Sequence, residues 1–252
     1  MKKKMIVGNW KMNPVTLEET KRLFKAIKAD ADSLAKTEVV LCPPFVYIPA
    51  LLNTRTETSV SVGAQDVFFE EQGSFTGEIS PLMLKEMGVT HVIIGHSERR
   101  ARGESDESIS KKVFLALEHG LCPILCVGEK ERDEQGGHLD TLKQQIKDSL
   151  NKVPKKHIDR LIVAYEPVWA IGAKEAMNPL VVYEMTLFVK KVLSDIYGHD
   201  EALSTPVLYG GSVNFRNAPD IITQGQVDGL LVGRESVNAT GFSELLKAVD
   251  IL

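Results

Sequence analysis

Short runs that are apolar at nearly every position alternate along this chain with longer segments in which apolar residues recur every three or four positions. The runs are Met5–Val7, Val39–Cys42, Val60–Gln65, His91–Ile94, Pro123–Val127, Leu161–Tyr165, Pro206–Tyr209 and Val227–Val232. A run with no polar face predicts a strand covered on both sides, as in a parallel sheet. The first intervening segment predicts a helix, opened by a capping box at Thr16 and Glu19 and carrying an apolar stripe of Leu17, Leu23, Phe24, Ile27 and Leu34. A short helix is expected from Tyr47 to Leu52, and another with Pro81 in its first turn. A helix from near Ser105 to His119 meets Gly120 at a position suited to a left-handed C-cap. Leu139, Leu142, Ile146 and Leu150 mark one helical face, Asn178-Pro179 announces the next helix, and Phe242, Leu245, Leu246 and Val249 belong to the last.

The α/β alternation continues without a linker or a change of composition, so residues 1–252 are expected to form one domain. A doubly wound open sheet would use fewer strands, and no G-x-G-x-x-G follows the first strand. The pattern therefore predicts a single (β/α)8 barrel, whose active site lies at the carboxyl ends of the strands.

Composition narrows the function without changing the fold. The chain has 252 residues, 43% hydrophobic and 25% charged, with a formal net charge of -4 and no block of like charges. Neither nucleic acid nor an anionic membrane surface is an expected partner. Cys42, Cys122 and Cys126 form no C-x-x-C pair and no even framework, so they read as reduced core residues; no metal site is expected. Met1-Lys2-Lys3-Lys4-Met5 resembles the basic start of a signal peptide, but the apolar stretch after it is too short for one. No segment is long and apolar enough to span a membrane, and a cytoplasmic location is expected.

The barrel reading gathers distant residues onto one face. Strand one delivers Asn9 and Lys11, strand four His96 and Glu98, and strand six Glu166, where Pro167 stops the strand at once. Strands seven and eight deliver Gly211-Ser212 and Gly233-Arg234. Glycine-rich backbone beside a helix N-terminus suits a phosphate. A carboxylate at Glu166 can take a proton from carbon if water is excluded; His96 can polarise a carbonyl, and Lys11 and Asn9 can stabilise an oxyanion. Taken singly, Gly-Gly-Ser is more often a plain turn, His96 also has a minority reading as a core histidine, and Lys11 would be a solvated lysine.

Several motifs resemble the triosephosphate isomerase family: Asn9-Trp10-Lys11-Met12-Asn13, Gly63-Ala64-Gln65, Thr76-Gly77-Glu78-Ile79-Ser80, Gly95-His96-Ser97-Glu98-Arg99-Arg100, Ala164-Tyr165-Glu166-Pro167-Val168-Trp169-Ala170-Ile171-Gly172 and Tyr209-Gly210-Gly211-Ser212-Val213. The resemblance covers the whole chain. It implies a TIM barrel that interconverts dihydroxyacetone phosphate and glyceraldehyde 3-phosphate through an enediol(ate), with no cofactor. It implies Glu166 as base, His96 as electrophile, Lys11 and Asn9 beside the substrate oxygens, and Glu98 as a supporting carboxylate. Gly172, Gly211, Ser212, Gly233 and Arg234 would bind phosphate. Residues Pro167, Val168, Trp169, Ala170, Ile171, Gly172, Ala173, Lys174, Glu175 and Ala176 would form a lid that shields the intermediate from water.

The connection from Asp66 to Ser80 carries Phe68, Phe69 and Phe75 with no helix or strand signal. The resemblance makes it an arm inserted into a second subunit of a homodimer, with Gln65, Phe75, Thr76 and Gly77 among its residues. The chain departs from the family pattern in four places. The lid hinge is Gly172-Ala173-Lys174-Glu175 where Gly-Thr-Gly-Lys is usual, the second glycine of the phosphate turn is Arg234, Asp66 replaces an asparagine, and the connection after Arg100 is about one residue shorter. None removes a chemical group. The alternatives are another phosphate-binding barrel enzyme such as an aldolase, which would need a lysine where strand six presents Glu166, and a non-catalytic sugar-phosphate-binding barrel.

Overall fold

The computed structural model describes residues 3–54, 59–133, 135–170 and 177–252. Eight parallel strands close into a barrel in sequence order, with β1 hydrogen-bonded to both β2 and β8. In chain order the elements begin β1 (Lys4–Asn9), α1 (Leu17–Ala31), β2 (Thr37–Cys42), α2 (Ile48–Asn53), β3 (Val60–Ala64) and α3 (Pro81–Glu86). They continue with β4 (His91–Ile94), α4 (Ser97–Arg100), α5 (Asp106–Glu118), β5 (Cys122–Val127), α6 (Gly137–Ser149) and β6 (Ile162–Tyr165). The last are α7 (Pro179–Tyr197), α8 (His199–Ser204), β7 (Val207–Tyr209), α9 (Ala218–Gln224), β8 (Gly229–Val232) and α10 (Ala239–Asp250).

The expected (β/α)8 barrel is the observed fold. Alternation along each strand divides the apolar residues between two cores. Val7, Val40, Cys42, Ile93, Ile124, Cys126, Ile162, Ala164, Leu208 and Leu231 fill the barrel interior. Their neighbours, among them Ile6, Val39, Leu41, Val92, Ile94, Leu125 and Val163, pack against the helical ring. Unbroken apolar runs are the sequence form of this two-sided burial. Cys42 and Cys126 are buried in the interior and Cys122 is half-buried, all three as free thiols.

The helix signals act through side chains at the expected places. Thr16 Oγ1 accepts from Glu19 N–H at 3.2 Å, Ser80 Oγ accepts from Met83 N–H at 3.2 Å ahead of Pro81, and Asn178 Oδ1 accepts from Leu180 N–H at 2.9 Å ahead of Pro179. Gly120 adopts φ +71° just beyond α5, as its glycine suggested. Several expected boundaries are corrected. Gln65 falls outside β3, and β8 starts at Gly229 rather than Val227, because Gln226 turns with φ +48° and the Asp228 side chain instead accepts from Val207 N–H at 2.8 Å. Helices α4, α8 and α9 had no assigned place in the periodic pattern; all are short, and a strong stripe needs several turns.

At the amino end of β4, His91 is 6% exposed, and burial pushes its pKa down to about 4. The unfolded chain therefore binds the proton first as pH falls, so stability is lost from about pH 6.5 down to about pH 4. Urea unfolding should show wild type losing about 2 kcal/mol more between pH 7 and pH 5 than His91→Gln does. Equal losses in the two proteins would exclude this histidine as a source of acid sensitivity.

Candidate active site

A cavity of about 530 Å³ opens at the carboxyl ends of the strands, lined by residues from the ends of β1, β4, β6, β7 and β8. The lining includes Asn9, Lys11, His96, Glu166, Gly210, Gly211, Ser212, Gly233 and Arg234. Parallel closure brings these together, since each strand contributes its last residues or the loop directly after it.

Glu166 follows β6 immediately and is 3% exposed. Its Oε2 accepts from Ser97 N–H at 3.1 Å, and its Oε1 lies 3.2 Å from His96 Nε2. His96 caps α4, and its Nδ1 accepts from Glu98 N–H at 3.1 Å. A ring nitrogen that accepts carries no proton, so the ring proton sits on Nε2, facing Glu166 and the cavity. A buried carboxylate is retained only where donors satisfy it, and here one backbone and one imidazole donor do so.

Lys11 has φ +53°, unusual for a residue with a Cβ. Asn9 Oδ1 accepts from Lys11 N–H at 3.1 Å, while Gln65 Nε2 donates to the carbonyls of Lys11 at 2.8 Å and Cys42 at 2.9 Å. Lys11 Nζ donates to Glu98 Oε1 at 2.6 Å. Burial alone would raise the Glu98 pKa, but the hydrogen bond and charge of Lys11 outweigh it and hold the carboxyl below its usual range. Gln65 was expected with the arm; its side chain braces the Lys11 loop.

The glycine-rich turns have separate physical causes. A Cβ at Gly210 would lie 2.7 Å from Glu166 Cγ, so the side chain of Glu166 occupies the space that any other residue would fill. Gly233 combines φ -87° with ψ -102°, outside the usual regions for L-residues. Arg234 opens the 3₁₀ turn Arg234–Val237 and is not among the positive-φ residues. Asn217 Nδ2 donates to Ser212 O at 3.3 Å, bracing the turn after β7.

Of the expected lid, Pro167 and the 3₁₀ turn Val168–Ala170 are described; Ile171, Gly172, Ala173, Lys174, Glu175 and Ala176 lie outside the described residues. Trp169 Nε1 donates to Glu129 Oε1 at 2.9 Å, and Ser212 Oγ donates to Ala170 O at 3.1 Å. Glu129, 1% exposed, also accepts from Tyr165 Oη at 2.8 Å and Arg132 Nε at 3.1 Å. The Arg132 guanidinium lies 5.6 Å from the Trp169 ring centre. Burial and the Glu129 carboxylate push the Tyr165 phenol well above its usual range, so it remains a donor.

Sequence reasoning did not single out Glu129, Arg132, Tyr165 Oη, Ser97 N–H or Arg100. Arg100 Nε donates to Gly95 O at 2.7 Å, and its guanidinium reaches Cys126 O at 3.2 Å and Ser149 Oγ at 3.1 Å, fixing the loop after β4. The Arg99-Arg100 pair and the placement of Glu129 just after β5 were the available signals. Among the described residues no group of three His, Cys, Asp or Glu side chains could hold a metal ion, and no helix is long and apolar enough to cross a membrane.

The arm begins at Asp66, which is 6% exposed and takes Arg99 at 2.6 Å and Lys112 at 2.9 Å; Glu104 shares both cations. Burial raises the Asp66 pKa against the pull of Lys112 and Arg99. Asp66, where the resemblance implies an asparagine, thus completes a four-membered ion cluster joining the expected arm to α4. Phe68 stacks on Phe69 with ring centres 4.2 Å apart and meets Phe75 at 4.8 Å, while Phe68 N–H donates to Ile79 O at 2.8 Å. Phe75, Thr76 and Gly77 remain exposed at the tip.

A family model described as triosephosphate isomerase matches residues 4–249. A relative from Dehalococcoides mccartyi strain CBDB1, named triosephosphate isomerase, is 40% identical over 100% of this chain and 98% of its own length. Relatives of the same name from Roseiflexus castenholzii, at 40% identity, and Thermoanaerobacter pseudethanolicus, at 41%, each cover 98% of this chain, and the match spans 97% and 99% of their own lengths.

Gly210→Ala should displace Glu166 and lower kcat about tenfold to a hundredfold, with the melting temperature close to wild type. A variant with unchanged kcat would show that the carboxylate does not need its present seat.

Proposed function

The chain belongs to the triosephosphate isomerase family, and on that premise we propose that it interconverts dihydroxyacetone phosphate and glyceraldehyde 3-phosphate through an enediol(ate) formed by proton transfer at Glu166. One observation carries the assignment of roles. The Glu166 carboxylate and the His96 Nε2–H meet at 3.2 Å in one cavity that the glycine-rich backbone after β7 and β8 also lines. Substrate entering between them would displace this contact, leaving a base facing carbon and a donor facing oxygen.

The phosphate sits against Gly211, Ser212, Gly233 and the Arg234 backbone, with Gly172 as a further expected contact. Glu166 removes a proton from the hydroxyl-bearing carbon beside the carbonyl. Charge developing on the carbonyl oxygen is met by His96 Nε2–H, with Lys11 and Asn9 beside it. Glu98 holds Lys11 in place. Returning the proton to the neighbouring carbon, with a matching transfer between the oxygens, completes an isomerisation in which no electron acceptor is consumed. The segment from Pro167 to Ala176 serves as the lid. The aldolase reading has no lysine at the end of β6 to support it.

We also infer a homodimer built around the arm. Phe75 at its tip is 43% exposed, and Met12, Val15 and Val46 are 77% exposed or more. These residues leave the carboxyl ends of β1, β2 and β3, three neighbours in the barrel. An apolar set on adjacent loops supports an interface there.

Glu166→Gln should lower turnover about a hundredfold or more in a coupled isomerase assay, roughly 3 kcal/mol of transition-state stabilisation. With dihydroxyacetone phosphate in D₂O, the wild-type protein should place deuterium on the adjacent carbon; no incorporation and no aldehyde product would instead favour a binding protein. Sedimentation should give a dimer at micromolar concentration, and a chain that stays monomeric and fully active at nanomolar concentration would exclude the assembly.

A further inference from the structure

We propose that the Arg234 side chain is a phosphate-contacting cation of this cavity, so that the position usually occupied by a glycine here sets the preference for dianionic ligands. The inference rests on the isomerase reading for its substrate, but on charge and geometry for its mechanism.

The charge balance of the cavity motivates it. Among the described lining residues the ionised side chains are Lys11, Arg234, Glu166 and Glu235. Lys11 is already engaged with Glu98 at 2.6 Å, and that contact holds Glu98 in its charged form. With Lys11 neutralised by Glu98, Arg234 is left with Glu166 and Glu235, and without Arg234 a phosphate dianion would meet two uncompensated negative charges. Arg234 is exposed, it lines the cavity beside Gly233, and its guanidinium has no carboxylate within ion-pair distance among the described residues. Among the described lining residues it is the cation whose charge is not already matched by an ion pair.

Backbone geometry permits the substitution. The unusual φ and ψ fall on Gly233, while Arg234 begins a 3₁₀ turn without positive φ, so a side chain costs no strain there. The backbone N–H contributes as glycine's would, and the guanidinium adds a positive charge that a glycine lacks. Because the group is exposed, its effect is screened by salt, unlike that of the buried site residues.

The test compares wild type with Arg234→Gln and Arg234→Lys. Inorganic phosphate affinity, read by calorimetry, should fall about tenfold in Arg234→Gln at low ionic strength, the lower end of what a charged cleft supplies. Arg234→Lys should retain most of the affinity, and the difference between wild type and Arg234→Gln should shrink as salt is added. kcat/KM with glyceraldehyde 3-phosphate should follow the same salt dependence, while the loss for glyceraldehyde, which lacks the phosphate, should be several-fold smaller. Equal phosphate affinity in wild type and Arg234→Gln would overturn the proposal. So would equal weakening in both variants at every ionic strength, which would assign the effect to the turn's backbone. An inactive wild type would defeat the isomerase reading alone, since phosphate binding tests Arg234 independently.

Discussion

The Glu166 carboxylate is held 3.2 Å from His96 Nε2 and 3.1 Å from Ser97 N–H, and the residue is 3% exposed. Burying a carboxylate is costly, and hydrogen bonds to charged groups return only about 1.5–3 kcal/mol each. The seat therefore depends on donors that do not move, and much of the surrounding architecture fixes them. Arg100 ties the loop carrying His96 and Ser97 to Gly95, Cys126 and Ser149. Gly210 leaves room for the Glu166 side chain that any Cβ would remove. The barrel provides the frame: β6 and β7 are hydrogen-bonded neighbours, and closure through β1 and β8 brings Asn9 and Lys11 to the same cavity.

A second buried carboxylate works beside the first. Glu129 accepts from Tyr165, Trp169 and Arg132, so the loop leaving Glu166 is attached to the end of β5. Ser212, on the phosphate side, holds Ala170 of the same loop. Residues 167–170, the described start of the proposed lid, thus contact both Glu129 and Ser212. On the proposed roles, displacing residues 167–170 would exchange these contacts, and each exchange would act on the strand end that carries Glu166 or on the turn after β7.

The barrel was legible because unbroken apolar runs report burial on both faces, and the first-turn prolines and capping residues mark helix starts through local chemistry. Placement of Asn9, Lys11, His96 and Glu166 on one face then followed from the strand ends alone. Short elements such as α4 and α9 carry too few turns for a stripe, and the start of β8 depended on Asp228 bonding across to Val207. Glu129 was not legible as a site residue. Its identity as a polar group after a strand says nothing of the three donors that reach it from β6, the lid and the following loop. The role of Gln65 was hidden for the same reason, since its partners are the carbonyls of Lys11 and Cys42, 54 and 23 positions away.

The departures from the family pattern fall where function tolerates charge. Asp66 enters a cluster already containing Lys112, Arg99 and Glu104, where an asparagine would leave two cations facing one carboxylate. Arg234 enters a cavity in which carboxylates outnumber cations, and adds charge at its rim. Both changes reduce a local imbalance, one in a buried cluster and one at an exposed mouth. Coulombic interaction is strong and poorly screened in the first place, and weak and salt-dependent in the second. Asp66 therefore acts on the arm's attachment to α4, and Arg234 acts on what approaches the cavity. Among the described residues neither makes a hydrogen bond or ion pair with Glu166, which is held by His96 and Ser97.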